Sequence, residues 1–447
     1  MRRVPVAIAR PAAPGLTRRR LALPLIVAAF YGSLFAVRSL GFTSLYTNLL
    51  YGLGIVPFDF PFVDAHAILA AAECHRAGIA IYPTNPCDAL LRPLPYSPLW
   101  LDLIPRFMTI AHTPGLGIGF VLTFFAGLYL VIRPSSGCEL LLMALASTST
   151  CVTFAIERGN ADLLIFALAA GTAGMSGLGP NARLAAYALG FAGGTLKFYP
   201  FVLLSLAFRE PAKRLLTIAA TSVLGLVAFG AYYYRGIQDS LGAIPSGAYF
   251  GDCFNAQNLP FGIADLGGYD DAVAWTILAG LVAACLSLVT LLARRFLSDR
   301  STPDLSMLEA RALLTGSLLI VGCFFAGQSV GYRGIFLLLV LPGLLQLGRG
   351  AGASSLQGLL RLTTAAVLFL LWEEGIRHSF EWGLRLTGVE DAIPGIPSTV
   401  FWVLRELVWW WVVSVLAAMV ALFALQSPLG REAARVFYPA FELRSRP

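Results

Sequence analysis

The stretch from Leu184 to Phe208 decides how this chain folds, and it reads LAAYALGFAGGTLKFYPFVLLSLAF. It holds one charge, Lys197, and one proline, Pro200. About 20 apolar helical residues cross a hydrocarbon core of ~30 Å. One unbroken helix here would leave Lys197 in mid-bilayer, which costs ~2.5 kcal/mol or more. Pro200 has no N–H with which to continue a helical ladder. The reading that avoids the cost is a break at Lys197-Phe198-Tyr199-Pro200, with two half-length helices meeting at one membrane face and Lys197 at the water boundary.

The rest of the chain agrees that lipid is the solvent. Of 447 residues, 57% are apolar and 13% charged, with a mean hydropathy of +0.74, against roughly 25% charged residues in soluble domains. Apolar periodicity predicts helices over Leu21 to Val37, Gly115 to Ile132, Glu139 to Ile156, Ala161 to Leu178, Leu184 to Leu196, Phe198 to Phe208, Leu215 to Tyr234, Ala272 to Leu292, Ala312 to Ala326, Gly334 to Leu347, Gly358 to Trp372 and Thr399 to Leu425. The expectation is one all-α, polytopic membrane domain over 1–447, with about 12 transmembrane helices, two of them short.

Basic residues set the expected orientation, because short cytoplasmic connections carry the excess. Arg2, Arg3, Arg10, Arg18, Arg19 and Arg20 fill a tail over 1–20. Later clusters occur at Arg209, Lys213 and Arg214, at Arg294, Arg295 and Arg300, at Arg349 and Arg361, and at Arg431 and Arg435. Both termini are thus expected in the cytoplasm, in a bacterial plasma membrane. Three long connections, 38–96, 235–271 and 373–398, are expected outside, and the second carries Asp239, Asp252, Asp265, Asp270 and Asp271. The first has helix-like spacing around Asp64 to Gly78, read as interfacial helices. The net charge of +7 lacks the aromatic-interleaved basic face of nucleic-acid binding, so no nucleic-acid partner is expected. Cys74 and Cys87 fall in an outer segment where a disulfide is permitted. Spacing alone leaves a bridge and two buried thiols both open.

The outer side gathers Asp59, Asp64, Tyr96, Glu157, Arg158, Lys197, Tyr199 and Arg333 in apolar surroundings, where each charge needs a partner or a task. Of the 32 lysines and arginines only Lys197 and Lys213 are lysine, which sets Lys197 apart. Asp64 opens DAHAILAAAECHRAGIAIY, followed by Asn85-Pro86 and by Pro95-Tyr96-Ser97-Pro98. That loop resembles the first outer loop of the GT-C superfamily of polytopic glycosyltransferases, in particular glycosyltransferase family 87, through Asp64, Ala71, Ala72, Gly78, Tyr82 and Tyr96-Ser97-Pro98. Glu157-Arg158-Gly159-Asn160-Ala161-Asp162-Leu163-Leu164 resembles the family's Gly-Asn segment at a helix start. Gly194-Thr195-Leu196-Lys197-Phe198-Tyr199-Pro200 resembles its Lys-containing, Pro-terminated one, and Gly331-Tyr332-Arg333-Gly334-Ile335-Phe336 resembles a Tyr-Arg motif of such enzymes.

The resemblance implies a GT-C-like fold and transfer of a sugar from a polyprenyl-phosphate donor to a lipid-linked or envelope glycan acceptor, with no cofactor or metal. Asp64 and Glu157 are the catalytic candidates, and Asp59 stands as an alternative to Asp64 as the base. Asp59, Tyr96, Arg158, Lys197, Tyr199 and Arg333 are the substrate-binding candidates. An Asp base would activate the acceptor hydroxyl, while Lys and Arg would hold the leaving phosphate. Plainer roles stand beside these. Asp64 suits a helix N-terminus, Glu157 and Arg158 can pair with each other, and Lys197 can snorkel. Trp409-Trp410-Trp411 reads as an interfacial belt or packing surface. Glu373, Glu374, Arg377, His378, Glu381 and Arg385 read as a solvated outer helix. A transporter or lipid flippase and a non-catalytic relative of the transferase fold are the competing functions.

Overall fold

The structure, a computed structural model, describes residues 14–244, 249, 253–299, 303–349, 355–387 and 395–437, the side chains of 14–18 and 433–437 apart. Arg2, Arg3, Arg10, Asp252 and Arg300 lie outside the described residues. The α-helices are, in order, α1 (Pro14–Ser39), α2 (Thr43–Gly52), α3 (Val63–Arg76), α4 (Leu99–Leu103), α5 (Thr113–Val131), α6 (Gly137–Ser147), α7 (Thr150–Arg158), α8 (Asp162–Met175), α9 (Pro180–Lys197), α10 (Ala212–Tyr232), α11 (Tyr234–Gly242), α12 (Asn258–Gly267), α13 (Asp271–Ser298), α14 (Leu308–Ala326), α15 (Leu337–Leu347), α16 (Ser355–Leu386), α17 (Ile396–Gln426) and α18 (Pro428–Phe437). Tyr199–Arg209 and Gly331–Phe336 are 3₁₀ segments. Among the described residues the strands are two short ones, β1 (Cys253–Phe254) and β2 (Ser329–Val330), antiparallel with Cys253 opposite Val330.

Seven helices, α1, α5, α10, α13, α14, α16 and α17, are long and apolar enough to cross a membrane. Counting the bent pair α6 and α7 as one span makes eight. The chain is a helical, multi-pass membrane protein. Of the twelve expected crossings, seven or eight meet these criteria: the other four segments form helices, but α8, α9, Tyr199–Arg209 and Gly331–Leu347 fall short in length or hydropathy. The expected single helix Glu139 to Ile156 is broken by 49°. Ser147-Thr148-Ser149-Thr150 supplies the reason, since Ser and Thr side chains compete for backbone groups. Thr148 Oγ1 donates to the Ala144 carbonyl at 2.9 Å, and Ser149 turns extended before α7.

The break at Lys197 is present as expected. Phe198 ends α9 in a positive-φ conformation (φ 60°), and Pro200 begins the tighter 3₁₀ turn. A non-glycine residue there is strained by roughly 1–3 kcal/mol and persists only where its surroundings hold it. Lys197 does not sit at a water boundary: it is buried. At the other end of α9, roughly 25 Å of helical rise away, Arg183 pairs with Glu210, and Tyr187 Oη donates to the same carboxylate at 2.8 Å.

Two further expectations change. Helix α3 is buried at every position from Val63 to Ala72, so it is an inner helix and not one lying on the membrane. The expected third outer loop is partly helix, because α16 runs on to Leu386 and α17 starts at Ile396. Helices α14 and α15 form the centre, apolar and buried on all sides. A Cβ at Gly343 would lie 2.5 Å from Leu313 Cβ, a close approach that only a small residue allows.

Candidate functional site

A glycine sets the geometry of the site. Gly159 closes α7 with φ 58°, and a Cβ there would lie 2.9 Å from Phe62 Cβ. Phe62 precedes α3, and its N–H donates to the Glu157 carbonyl at 2.7 Å. The end of α7 and the start of α3 are therefore locked together, with Asn160 next to Asp64. Asn160 Nδ2 donates to Asp64 Oδ2 at 2.6 Å and to Tyr96 Oη at 3.2 Å.

The amide's other end faces the lysine. Lys197 Nζ donates to Asn160 Oδ1 at 2.7 Å and pairs with Asp162 Oδ1 at 2.7 Å. Tyr199 Oη donates to that same Asp162 oxygen at 2.5 Å. The ammonium also lies 5.1 Å from the Tyr96 ring and 5.4 Å from the Tyr332 ring, within cation–π range. Arg333 stacks over the Tyr199 ring at 4.7 Å. Arg333 Nε and Asp162 Oδ2 are buried with no hydrogen-bond partner among the described residues.

A second arc backs Asp64. Arg92 donates to Asp64 Oδ1 at 3.1 Å, to Asp88 Oδ2 at 2.9 Å and to the Val63 carbonyl at 2.6 Å. His66 Nε2 lies 3.7 Å from Asp88 Oδ1, and its Nδ1 shares a hydrogen bond with Thr113 Oγ1 at 3.2 Å. Burial pulls the His66 imidazole below its usual pKa, against the opposing pull of Asp88. Burial likewise opposes the charge on Arg92, but its hydrogen bonds with Asp88 and the field of Asp64 raise it. A Cys74 to Cys87 disulfide ties α3 to the segment that carries Asp88 and Arg92.

The structure thus brings Asp64, Tyr96, Lys197, Tyr199 and Arg333 together. Glu157 and Arg158 lie on the last turn of α7, beside the cluster. Glu157 is buried, its carboxylate 3.7 Å from Arg158 Nε, and neither of its oxygens has a hydrogen bond among the described residues. Arg158 stacks over Phe58 and Phe154. Asp59 does not join the site: it is exposed, and its backbone carbonyl accepts from Arg38. Between the two acids, Asp64 is the one held in a network.

Sequence reasoning assigned no role to Asn160, Asp162, Asp88 or Arg92. Asn160 and Asp162 stand inside a quoted motif, and Asp162 is the acid that balances Lys197. Asp88 and Arg92 carry an i, i+4 spacing as their only local signal. Compared with protein-family models, curated proteins and solved structures, the chain matches none.

The cluster has equal formal charges: Asp64, Asp88 and Asp162 against Arg92, Lys197 and Arg333. Asp64 is an acceptor held on two sides, by Asn160 and by Arg92. Lys197 and Arg333 are cations in apolar surroundings, where their pull on an anion is little screened.

Proposed function

We propose that this protein is a membrane glycosyltransferase that takes a sugar from a polyprenyl-phosphate donor and passes it to a lipid-linked or envelope glycan acceptor. The observation that carries the reading is Asn160, which joins the Asp64 carboxylate and the Lys197 ammonium through one amide. A base and a phosphate-binding cation are thereby spaced by a single side chain, as glycosyl transfer from a lipid phosphate requires. The loop, Gly-Asn, Lys-Pro and Tyr-Arg segments that resemble glycosyltransferase family 87 support the same reading. So does their convergence from four separate parts of the chain.

In the proposed step Asp64 takes the proton of the acceptor hydroxyl while that oxygen attacks the anomeric carbon. The bond from carbon to phosphate oxygen breaks, and the electron pair leaves with the phosphate. Lys197 and Arg333 hold the phosphate, Lys as a point charge and Arg as a fork. Direct displacement inverts the anomeric centre. The cluster faces the non-cytoplasmic side of a bacterial plasma membrane, with both termini cytoplasmic and the short helices α8, α9 and Gly331–Leu347 reaching only partway across.

The test is Asp64→Asn, purified in nanodiscs and assayed with a labelled polyprenyl-phosphate sugar. The expected loss is about 10³-fold, the scale of a general base. Wild-type transfer by a folded variant sinks the assignment. A transporter is the second reading, favoured by the two interrupted helices at Ser147 to Thr150 and at Lys197 to Pro200. Counterflow of labelled substrate in proteoliposomes separates the two.

A further inference from the structure

Thr150 is 2% exposed, and its hydroxyl has no hydrogen-bond partner among the described residues. A buried hydroxyl left unmatched costs about 1–3 kcal/mol, so its position carries information. Thr150 lines a cleft that follows α7 from Thr150 to Arg158. Tyr332 forms a second side, and Glu373, Glu374 and Arg377 of α16 form a third. Helix α16 approaches closely because Gly375 faces Thr150; a Cβ there would lie 2.8 Å from Thr150 Oγ1.

The acids on the cleft wall are held in place from behind. Trp409 Nε1 donates to Glu373 Oε2 at 3.0 Å. Arg377 binds Glu374 at 2.9 Å and Glu381 at 2.8 Å. Arg405, buried, pairs with Glu406 and lies 3.4 Å from Glu374 and 3.9 Å from Glu373. Asn258 Nδ2 closes the set on Glu406 at 2.7 Å.

Charge and hydrogen-bonding character then select the ligand. Lining the cleft, Glu373 and Glu374 stand against Arg158 and Arg377. A phosphate meets no surplus of cations there. A hydroxyl-rich neutral ligand meets carboxylate acceptors, guanidinium donors and a free hydroxyl, the mixture that matches groups able both to donate and to accept. Tyr332 belongs to both regions, since its ring also lies 5.4 Å from Lys197 Nζ.

We propose that the cleft between α7, α16 and the Gly331–Phe336 turn is a subsite for a neutral saccharide, separate from the phosphate position at Lys197 and Arg333. Under the transferase reading, on which the next step rests, it holds the sugar end of the acceptor.

The test uses the full chain in nanodiscs, with tryptophan fluorescence following titration by maltose, cellobiose or mannobiose and, separately, by undecaprenyl phosphate. Thr150→Val and Glu373→Gln are expected to weaken disaccharide binding by about tenfold, the scale of one buried hydrogen bond, and to leave the lipid phosphate within about twofold. Lys197→Met is expected to show the reverse pattern. Thr150→Val is isosteric and keeps the test open where Glu373→Gln fails to fold. The proposal is overturned if no disaccharide binds the wild type, if Thr150→Val binds disaccharide like the wild type, or if both ligands weaken together. The expected binding pattern without transfer from any polyprenyl-phosphate sugar supports the saccharide subsite and removes only the transferase reading.

Discussion

The Asp64 to Lys197 cluster and the Glu373 to Arg405 cluster flank Tyr332, and they bury charge in different ways. In the first, formal charges are equal: Arg92 is shared by Asp64 and Asp88, and Lys197 pairs with Asp162 alone. In the second, one guanidinium, Arg405, is shared by Glu373, Glu374 and Glu406. The one-to-one pair of Lys197 and Asp162 can be removed as a unit. A shared cation makes several acids depend on one residue. Under the two proposals above, the difference separates a cluster that handles charge from one that presents acceptors to a neutral ligand.

The largest effect is therefore expected at Arg405→Met, which removes the cation shared by the buried Glu373 and Glu406 and by the half-buried Glu374, with Arg377 left to Glu374 alone among the three. Breaking a buried pair costs about 3–5 kcal/mol, and this variant should fall at or beyond that range, with little monodisperse protein by size-exclusion chromatography. A well-folded Arg405→Met would break the comparison. Lys197→Met strands Asp162 alone and should cost about 3 kcal/mol. Adding Asp162→Asn should restore most of the melting temperature but not transfer. A double variant no more stable than the single one would show that Lys197 and Asp162 are not a one-to-one pair.

Smaller effects sharpen the contrast further. Cys87→Ser frees the segment that carries Asp88 and Arg92, closed by a bridge of sequence separation 13, and should cost about 2–3 kcal/mol. Its influence should reach Asp64-dependent transfer and leave disaccharide binding in the cleft unchanged. The smallest effect concerns His66. Its folded pKa is lowered, so the unfolded chain binds more protons than the folded one as pH falls toward and below about 6.5. Stability is full above that value and falls below it. Thermal unfolding between pH 7.5 and 5.5 should show the wild type losing more stability than His66→Gln; equal slopes would remove His66 from the account.

The helical, membrane-embedded character was legible because hydropathy reports solvent directly. So was the Lys197 to Pro200 break, where a charge and a proline both oppose a continuous helix. The α6 to α7 break was not, because Ser and Thr are neutral in hydropathy and end helices only where their hydroxyls turn to the backbone. Burial of α3 was hidden for a related reason: an alanine-rich helix fits equally well on a surface or inside, and what covers it comes from distant segments. Asp64 and Lys197 stood out as isolated charges in apolar runs. Glu373, Arg405 and Glu406 did not, since acids and bases at the end of a long helix look solvated. Only the folding of α16 against α17 brings Arg405 to Glu373.

The α8 to α9 hairpin has a consequence for biogenesis. Asp162 opens α8 and Lys197 closes α9, so the two charges of one ion pair are carried by a single helical hairpin. Either charge alone resists passage through lipid by ~2.5–3.5 kcal/mol. Threaded together and already paired, they form a neutral cargo. A chain that lost one of the two would carry the other into lipid unpaired, at a cost of that size.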